Sequence, residues 1–361
     1  MVKQDLQVRT TRPADAIEEI KHCFNKKRPV MLWGAPGIGK SDMIQLIGDD
    51  TDRPVIDLRL LLMEPTDLRG IPFYNKEKNC MDWAPPIDLP SDPKSNAILF
   101  LDEMNAAPPA VQAAAYQLIL NRRIGNYVLP KEVVIVAAGN RETDRGVTYR
   151  MPSPLANRMI HIELEVNFID WLKWATTNEV HPDVVGYLSF AKQDLYDFDP
   201  SSSSRGFATP RSWAFVSELI DDALDSTQMT DLIAGSVGEG LAVKFQAHRK
   251  IAGQLPNPED ILKGKVKSLK TKEISAMYTL ITSMCYELKA ECESAQKSKK
   301  MDVWHKQADC FLKFMMDNFE TEMVVLGART ALKTYQLPFS PKHLKSFDEF
   351  YKRYGSLIVE A

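Results

Sequence analysis

Gly34, Ala35, Pro36, Gly37, Ile38, Gly39, Lys40 and Ser41 form the stretch on which the fold turns. Every fixed position of the pattern G-x-x-x-x-G-K-[ST] is filled. Glycines let the backbone curl so that consecutive N–H groups face an oxyanion, and the helix that follows adds its positive N-terminal end. Lys40 then supplies a point charge for the β- and γ-phosphates, and the Ser41 hydroxyl is placed to ligate Mg2+. The flanks suit the motif. Before it, Pro29-Val-Met-Leu-Trp33 is an apolar run of strand length; after it, Ser41 to Gly48 reads as a helix with Met43, Ile44 and Ile47 apolar.

Working outward, residues 14–26 have helical spacing, with Ile17, Ile20 and Phe24 on one stripe. Three more apolar strands are predicted at Pro54–Leu60, Ala97–Leu101 and Val133–Ala138. Strands apolar on both faces and separated by helices indicate a parallel sheet covered on both sides. The expected fold class is therefore an α/β P-loop core, a parallel sheet sandwiched by helices, over residues 1–162. Beyond Asn167 helical patterns dominate, in FIDWLKWATT, DVVGYLSFAKQ, PRSWAFVSELIDDAL and GEGLAVKFQAHRKIAG. This predicts an all-α lid over 163–255. A break at Gln254–Glu259 separates it from a helical C-terminal extension over 256–361.

Composition narrows the function. The chain has 361 residues, 44% hydrophobic and 26% charged, with 45 Lys+Arg against 48 Asp+Glu. That balance rules out a generally basic nucleic-acid coat, and the clusters at Lys263–Lys272 and Lys297–Lys300 read as solvated joints. No apolar run reaches the 18 or so residues of a membrane span. The first twenty residues lack the apolar core of a secretory signal, so a cytoplasmic location is expected. Five cysteines at unrelated spacings suit free thiols rather than a disulfide scaffold or a zinc site.

The strand Ile98–Leu101 ends in Asp102-Glu103, and acids at the carboxyl end of a buried parallel strand face the ligand crevice. Asp102 is expected to hold Mg2+ and Glu103 to act as general base on the attacking water. The order GAPGIGKS, ILFLDEMNAAPPAVQAAAYQLILNRRIG, VVIVAAGN and SPLANR resembles an AAA+ ATPase over about residues 15–225. DEMN, followed by a proline and a glutamine-bearing helix, is similar to the MoxR-like branch, which is related to dynein-type and McrB-type modules.

The resemblance implies ATP and Mg2+ as cofactors, with catalytic roles for Glu103 and three further residues. Asn140 matches the first sensor, Arg158 in Ser153–Arg158 the arginine finger that reaches a neighbouring subunit, and Arg211 in Ala208–Arg211 the second sensor. The chain departs from the commoner MoxR pattern at Ala106, where an arginine often stands, and in the segment RETDRGVTYRMPSP. Arg141, Arg145 and Arg150 lie in that segment, and Arg150 is the alternative finger.

The resemblance further implies a homo-oligomeric ring, a hexamer, that remodels a protein client, with a von Willebrand factor type A domain protein as the implied partner. The alternative is a nucleic-acid motor or restriction subunit of McrB type; a third reading is a nucleotide-gated scaffold with little turnover. The turn-rich segment 63–86 and the short hairpin at 122–130 are candidate contact surfaces for the client. In the first, Leu68, Ile71, Phe73, Tyr74 and Trp83 stand as apolar anchors.

Overall fold

The computed structural model describes residues 9–144, 149, 151–202, 204–221, 223–270, 273–298 and 301–359. Two compact units divide at residue 167, one covering Met1–Asn167 and the other Phe168–Ala361.

In chain order the first unit holds β1 (Thr10–Thr11), α1 (Pro13–Asn25), β2 (Val30–Trp33), α2 (Lys40–Thr51) and β3 (Val55–Arg59). It continues through α3 (Pro65–Arg69), β4 (Ile71–Asn75), β5 (Cys80–Ala84), β6 (Ile98–Asp102) and α4 (Pro109–Asn121). The last elements are β7 (Arg123–Ile124), β8 (Tyr127–Val128), β9 (Val134–Gly139), α5 (Ser153–Ala156) and β10 (Ile160–Leu164). Six strands form one sheet in the order β1-β10-β2-β9-β6-β3, and every pairing is parallel.

Side chains alternate across this sheet. Val30, Leu32, Ile98, Phe100, Val134 and Val136 pack with Ile20 of α1 and Ile44 and Ile47 of α2. Met31, Leu99, Leu101, Ile135 and Ala137 face the other way, onto Val111, Ala115 and Leu118 of α4. Period-two alternation with apolar residues in both phases is what coverage on both faces demands. The expected fold class is the one found.

The sequence showed four of the six strands. β10 reads Ile-His-Ile-Glu-Leu, with Ile162 and Leu164 buried and Glu163 between them more open, so its pattern alternates where that of β2 beside it is unbroken. The expected domain limit at 162 falls inside this strand, which carries the first unit on to Asn167.

The second unit is helical: α6 (Phe168–Thr177), α7 (Pro182–Phe190), α8 (Pro210–Leu219), α9 (Ser226–Val237) and α10 (Glu239–Ala252). These are followed by α11 (Pro258–Leu262), α12 (Ile274–Ser298), α13 (Met301–Asn318), α14 (Thr321–Arg329) and α15 (Phe347–Val359). A core built on Leu280, Met284, Leu288, Trp304, Phe311 and Met315 joins the helices beyond 256.

A second cluster packs Tyr187 against Trp213, tilted, and against Phe245, edge to face, with ring centroids 5.5 and 5.4 Å apart. Burial pushes the His248 imidazole beside it down to about 4. His248 also meets Thr279 of α12 at 2.6 Å, so helices on both sides of residue 255 share one unit. α7 and α12 approach closely because Gly186 has no side chain. A Cβ there would lie 2.8 Å from the Thr279 Cα, which no rotamer change can relieve. Gly186→Ala is therefore expected to cost about 1–3 kcal/mol, read as a lower urea midpoint for the second unit with nucleotide binding retained.

Candidate functional site

Three neighbouring strands, β2, β9 and β6, deliver the candidate residues to one edge of the sheet. The loop after β2 turns through Gly37 (φ +74°) and Gly39 (φ +88°) into α2, whose first residue is Lys40. Both angles lie in the left-handed region that glycine enters without strain. The turn leaves the first-turn N–H groups of α2 without intrahelical partners, as an anion site requires.

The Lys40 ammonium lies across the loop. It donates to Gly34 O at 2.7 Å, to Ala35 O at 3.0 Å and to Asn140 Oδ1 at 3.1 Å. Asn140 directly follows β9, and its side chain thus meets the Lys40 ammonium. Ser41 Oγ donates to Asp102 Oδ2 at 3.2 Å, bringing two hard oxygens together at the end of β6. Glu103 sits at φ +54°, a conformation uncommon outside glycine, and its N–H donates to Asp102 Oδ1 at 2.8 Å. Strain at that position is held by the turn that follows, where Ala106 N and Ala107 N both donate to Glu103 O.

On β3, next to β6, the Asp57 carboxyl is held above its usual range by burial and then by the charge of Asp102. Among the described residues no group of three or more His, Cys, Asp or Glu side chains gathers as a metal cage. Mg2+ needs none, since it keeps several waters and takes one or two protein oxygens plus phosphate. Ser41 and Asp102 fit that demand.

Of the remaining sequence-predicted residues, Arg158 lies apart from this group. Arg158 is exposed and precedes β10, whose first residue pairs with Val30 at the start of β2. It therefore stands at the opposite edge of the sheet, a strand's length of about 13 Å from the loop that follows β2. There it lines an open recess of about 560 Å3 with Lys27, Arg28 and Arg122. The Arg122 guanidinium is committed to Pro130 O and Val133 O, both at 2.7 Å. Arg211 is the second residue of α8 in the second unit and is exposed; Thr209 caps that helix through Ser212 N. Arg145 and Arg150 lie outside the described residues. Arg141 pairs with Glu163 and donates to Leu164 O at 2.5 Å, which ties the end of β9 to β10.

Asn105 is the residue that reading the sequence missed as part of the site. It is 3% exposed, and its carboxamide pairs with the backbone of Asn140. The available signal was the amide of DEMN, two residues after the acidic pair.

The two candidate contact segments meet. Arg69 stacks over Trp83 at 4.3 Å, and the hairpin turn at Gly125 packs against the same indole. Leu68, expected as a contact anchor, is fully buried in the sheet core, and Trp83 is half-covered by these neighbours. Ile71, Phe73, Tyr74 and Met81 of the β4–β5 ribbon remain exposed.

No protein-family model matches the chain. A curated relative, Midasin of Giardia intestinalis, is 24% identical over 180 residues, 47% of this chain but only 4% of that protein. Among solved structures, the RuvB Holliday junction branch migration motor of Thermotoga maritima shares 16% identity, covering 70% of this chain and 76% of its own at a TM-score of 0.36. A candidate ATPase of Cytophaga hutchinsonii shares 13%, covering 96% and 90% at a TM-score of 0.36. The loop, the acidic pair and the asparagine between them make the first unit a P-loop nucleotide-binding domain by its own geometry.

Proposed function

We propose that this chain is an AAA+ ATPase of the MoxR-like kind that hydrolyses ATP with Mg2+ and spends the energy on a protein client. The observation that supports this best is the convergence of Lys40, Ser41, Asp102 and Asn140 at the carboxyl ends of three adjacent strands. The loop N–H groups and Lys40 bind the β- and γ-phosphates. Ser41 and Asp102 would hold Mg2+, which when bound would neutralise phosphate charge. Glu103 takes the proton of the attacking water, and Asn140 orients that water or the γ-phosphate. Arg211 serves as the second sensor, the role that the resemblance gives it.

Arg158 acts on the nucleotide of a neighbouring copy, which makes the working form a homo-oligomeric ring, a hexamer by resemblance. The client is a protein, with a von Willebrand factor type A domain protein as the partner the resemblance suggests, and the location is cytoplasmic. Among the described residues no helix is long and apolar enough to cross a membrane. Phosphate release from ATP and from GTP, with and without Mg2+, tests the reading. Activity on ATP that vanishes on chelation is expected, and absence of hydrolysis would refute it.

Client contact falls to the β4–β5 ribbon, where Phe73 is 46% and Tyr74 56% exposed. The double substitution Phe73→Ala/Tyr74→Ala is expected to leave basal hydrolysis within about twofold, since such surface changes usually cost under about 0.5 kcal/mol. Client stimulation should be lost. A double variant that no longer binds ATP would show the two rings to be part of the fold instead.

A further inference from the structure

We propose that Asn105 is a positioning residue that sets the Asn140 side chain against the phosphate-binding lysine. The proposal rests on the reading of this site as one that hydrolyses ATP.

The pairing of β6 with β9 ends at Leu101 and Ala137, and Met104 N prolongs it by donating to Ala138 O at 2.9 Å. Beyond that point the two chains part, and a side chain takes over. Asn105 Nδ2 donates to Asn140 O at 2.8 Å, and Asn140 N donates to Asn105 Oδ1 at 3.2 Å. One planar carboxamide thereby satisfies both backbone groups of residue 140, as a neighbouring strand would. Neither a carboxylate nor an apolar side chain can do so, because the first lacks the donor and the second lacks both groups.

The backbone of the turn that carries Asn105 is itself held. Asn105 O accepts from Tyr149 N at 2.6 Å, and Gln112 of α4 donates to Ala107 O at 2.9 Å in the same turn. The approach also needs Gly139 bare, since a Cβ there would come within 2.4 Å of Asn105 Oδ1.

With its backbone fixed in this way, Asn140 presents Oδ1 to Lys40 Nζ at 3.1 Å. Asn105 itself makes no contact with the loop among the bonds described; it acts through Asn140. A displacement of about 1 Å at such a site costs on the order of a hundredfold in rate, so loosening residue 140 should appear in turnover rather than in nucleotide affinity.

The test uses the full chain and four variants: Asn105→Leu, Asn105→Asp, Asn140→Ala and the Asn105→Leu/Asn140→Ala pair. Turnover is read by phosphate release and affinity by equilibrium binding of a fluorescent ATP analogue. Asn105→Leu is expected to lower kcat about tenfold or more while affinity stays within about threefold. In the Asn140→Ala background the same substitution should add little, because the group it positions is already gone. Asn105→Asp keeps the acceptor and regains a donor when protonated, so its kcat relative to wild type should climb as pH falls; Asn105→Leu should show no such rise. Should Asn105→Leu fail to fold, that pH profile carries the test.

Unchanged kcat in Asn105→Leu beside an impaired Asn140→Ala overturns the proposal alone, as does a full additive loss in the double variant. Unchanged hydrolysis in Asn140→Ala overturns the reading of the site, and the proposal with it.

Discussion

Lys40→Ala is expected to lose ATP binding, and Glu103→Gln to keep it while hydrolysis falls by about 10²- to 10⁴-fold. The two losses differ because the residues stand on different elements and meet different groups. Lys40 opens α2, and its ammonium bridges the loop carbonyls and Asn140. Without it the phosphates lose their principal cation, and charge-assisted hydrogen bonds of about 1.5–3 kcal/mol go with it. Glu103 lies past the end of β6, held at positive φ by the turn. The amide of glutamine preserves its size and removes its basicity. Nucleotide binding by titration and phosphate release under single turnover separate the two effects. A Glu103→Gln protein with ordinary turnover would remove Glu103 from the role of base.

Arg158→Ala is expected to bind ATP and to hydrolyse it about 10³- to 10⁵-fold more slowly, the range for loss of an arginine that stabilises phosphoryl transfer. Its position dictates how the loss should be repaired. Arg158 precedes β10 at the sheet edge opposite the phosphate loop, so the arginine and the loop of one chain face different ways. If the pairing is between copies, specific activity should rise with protein concentration. Mixing Arg158→Ala with Lys40→Ala protein should then recover part of the activity, since some junctions join an intact loop to an intact arginine. Co-assembled subunits that show no recovery would locate the finger elsewhere, with Arg150 the next to replace.

Much of the candidate site was legible because its parts are contiguous in sequence. Gly37, Gly39, Lys40 and Ser41 act within one turn, so the spacing that makes an anion cradle is written locally. The same holds for β2, β3, β6 and β9. β2, β6 and β9 are apolar runs that only a sheet covered on both faces can bury, and all four strands were found within a residue or two of their predicted limits.

What depended on the tertiary structure is what depends on partners distant in sequence. β10 reads ambiguously alone, and it is a strand because β2 lies alongside it and the core receives Ile162 and Leu164. Leu68 and Phe73 looked alike within one turn-rich segment, yet one is sealed beneath α4 and the other stands in solvent. The Asn105–Asn140 pair joins positions 35 apart, through strand order rather than spacing. Local pattern sets which backbone shapes are cheap, and so the sequence by itself determined the phosphate loop and the buried strands. Which side chains then meet across the sheet is set by long-range pairing, whose free energy belongs to the assembled core and to no single stretch of chain.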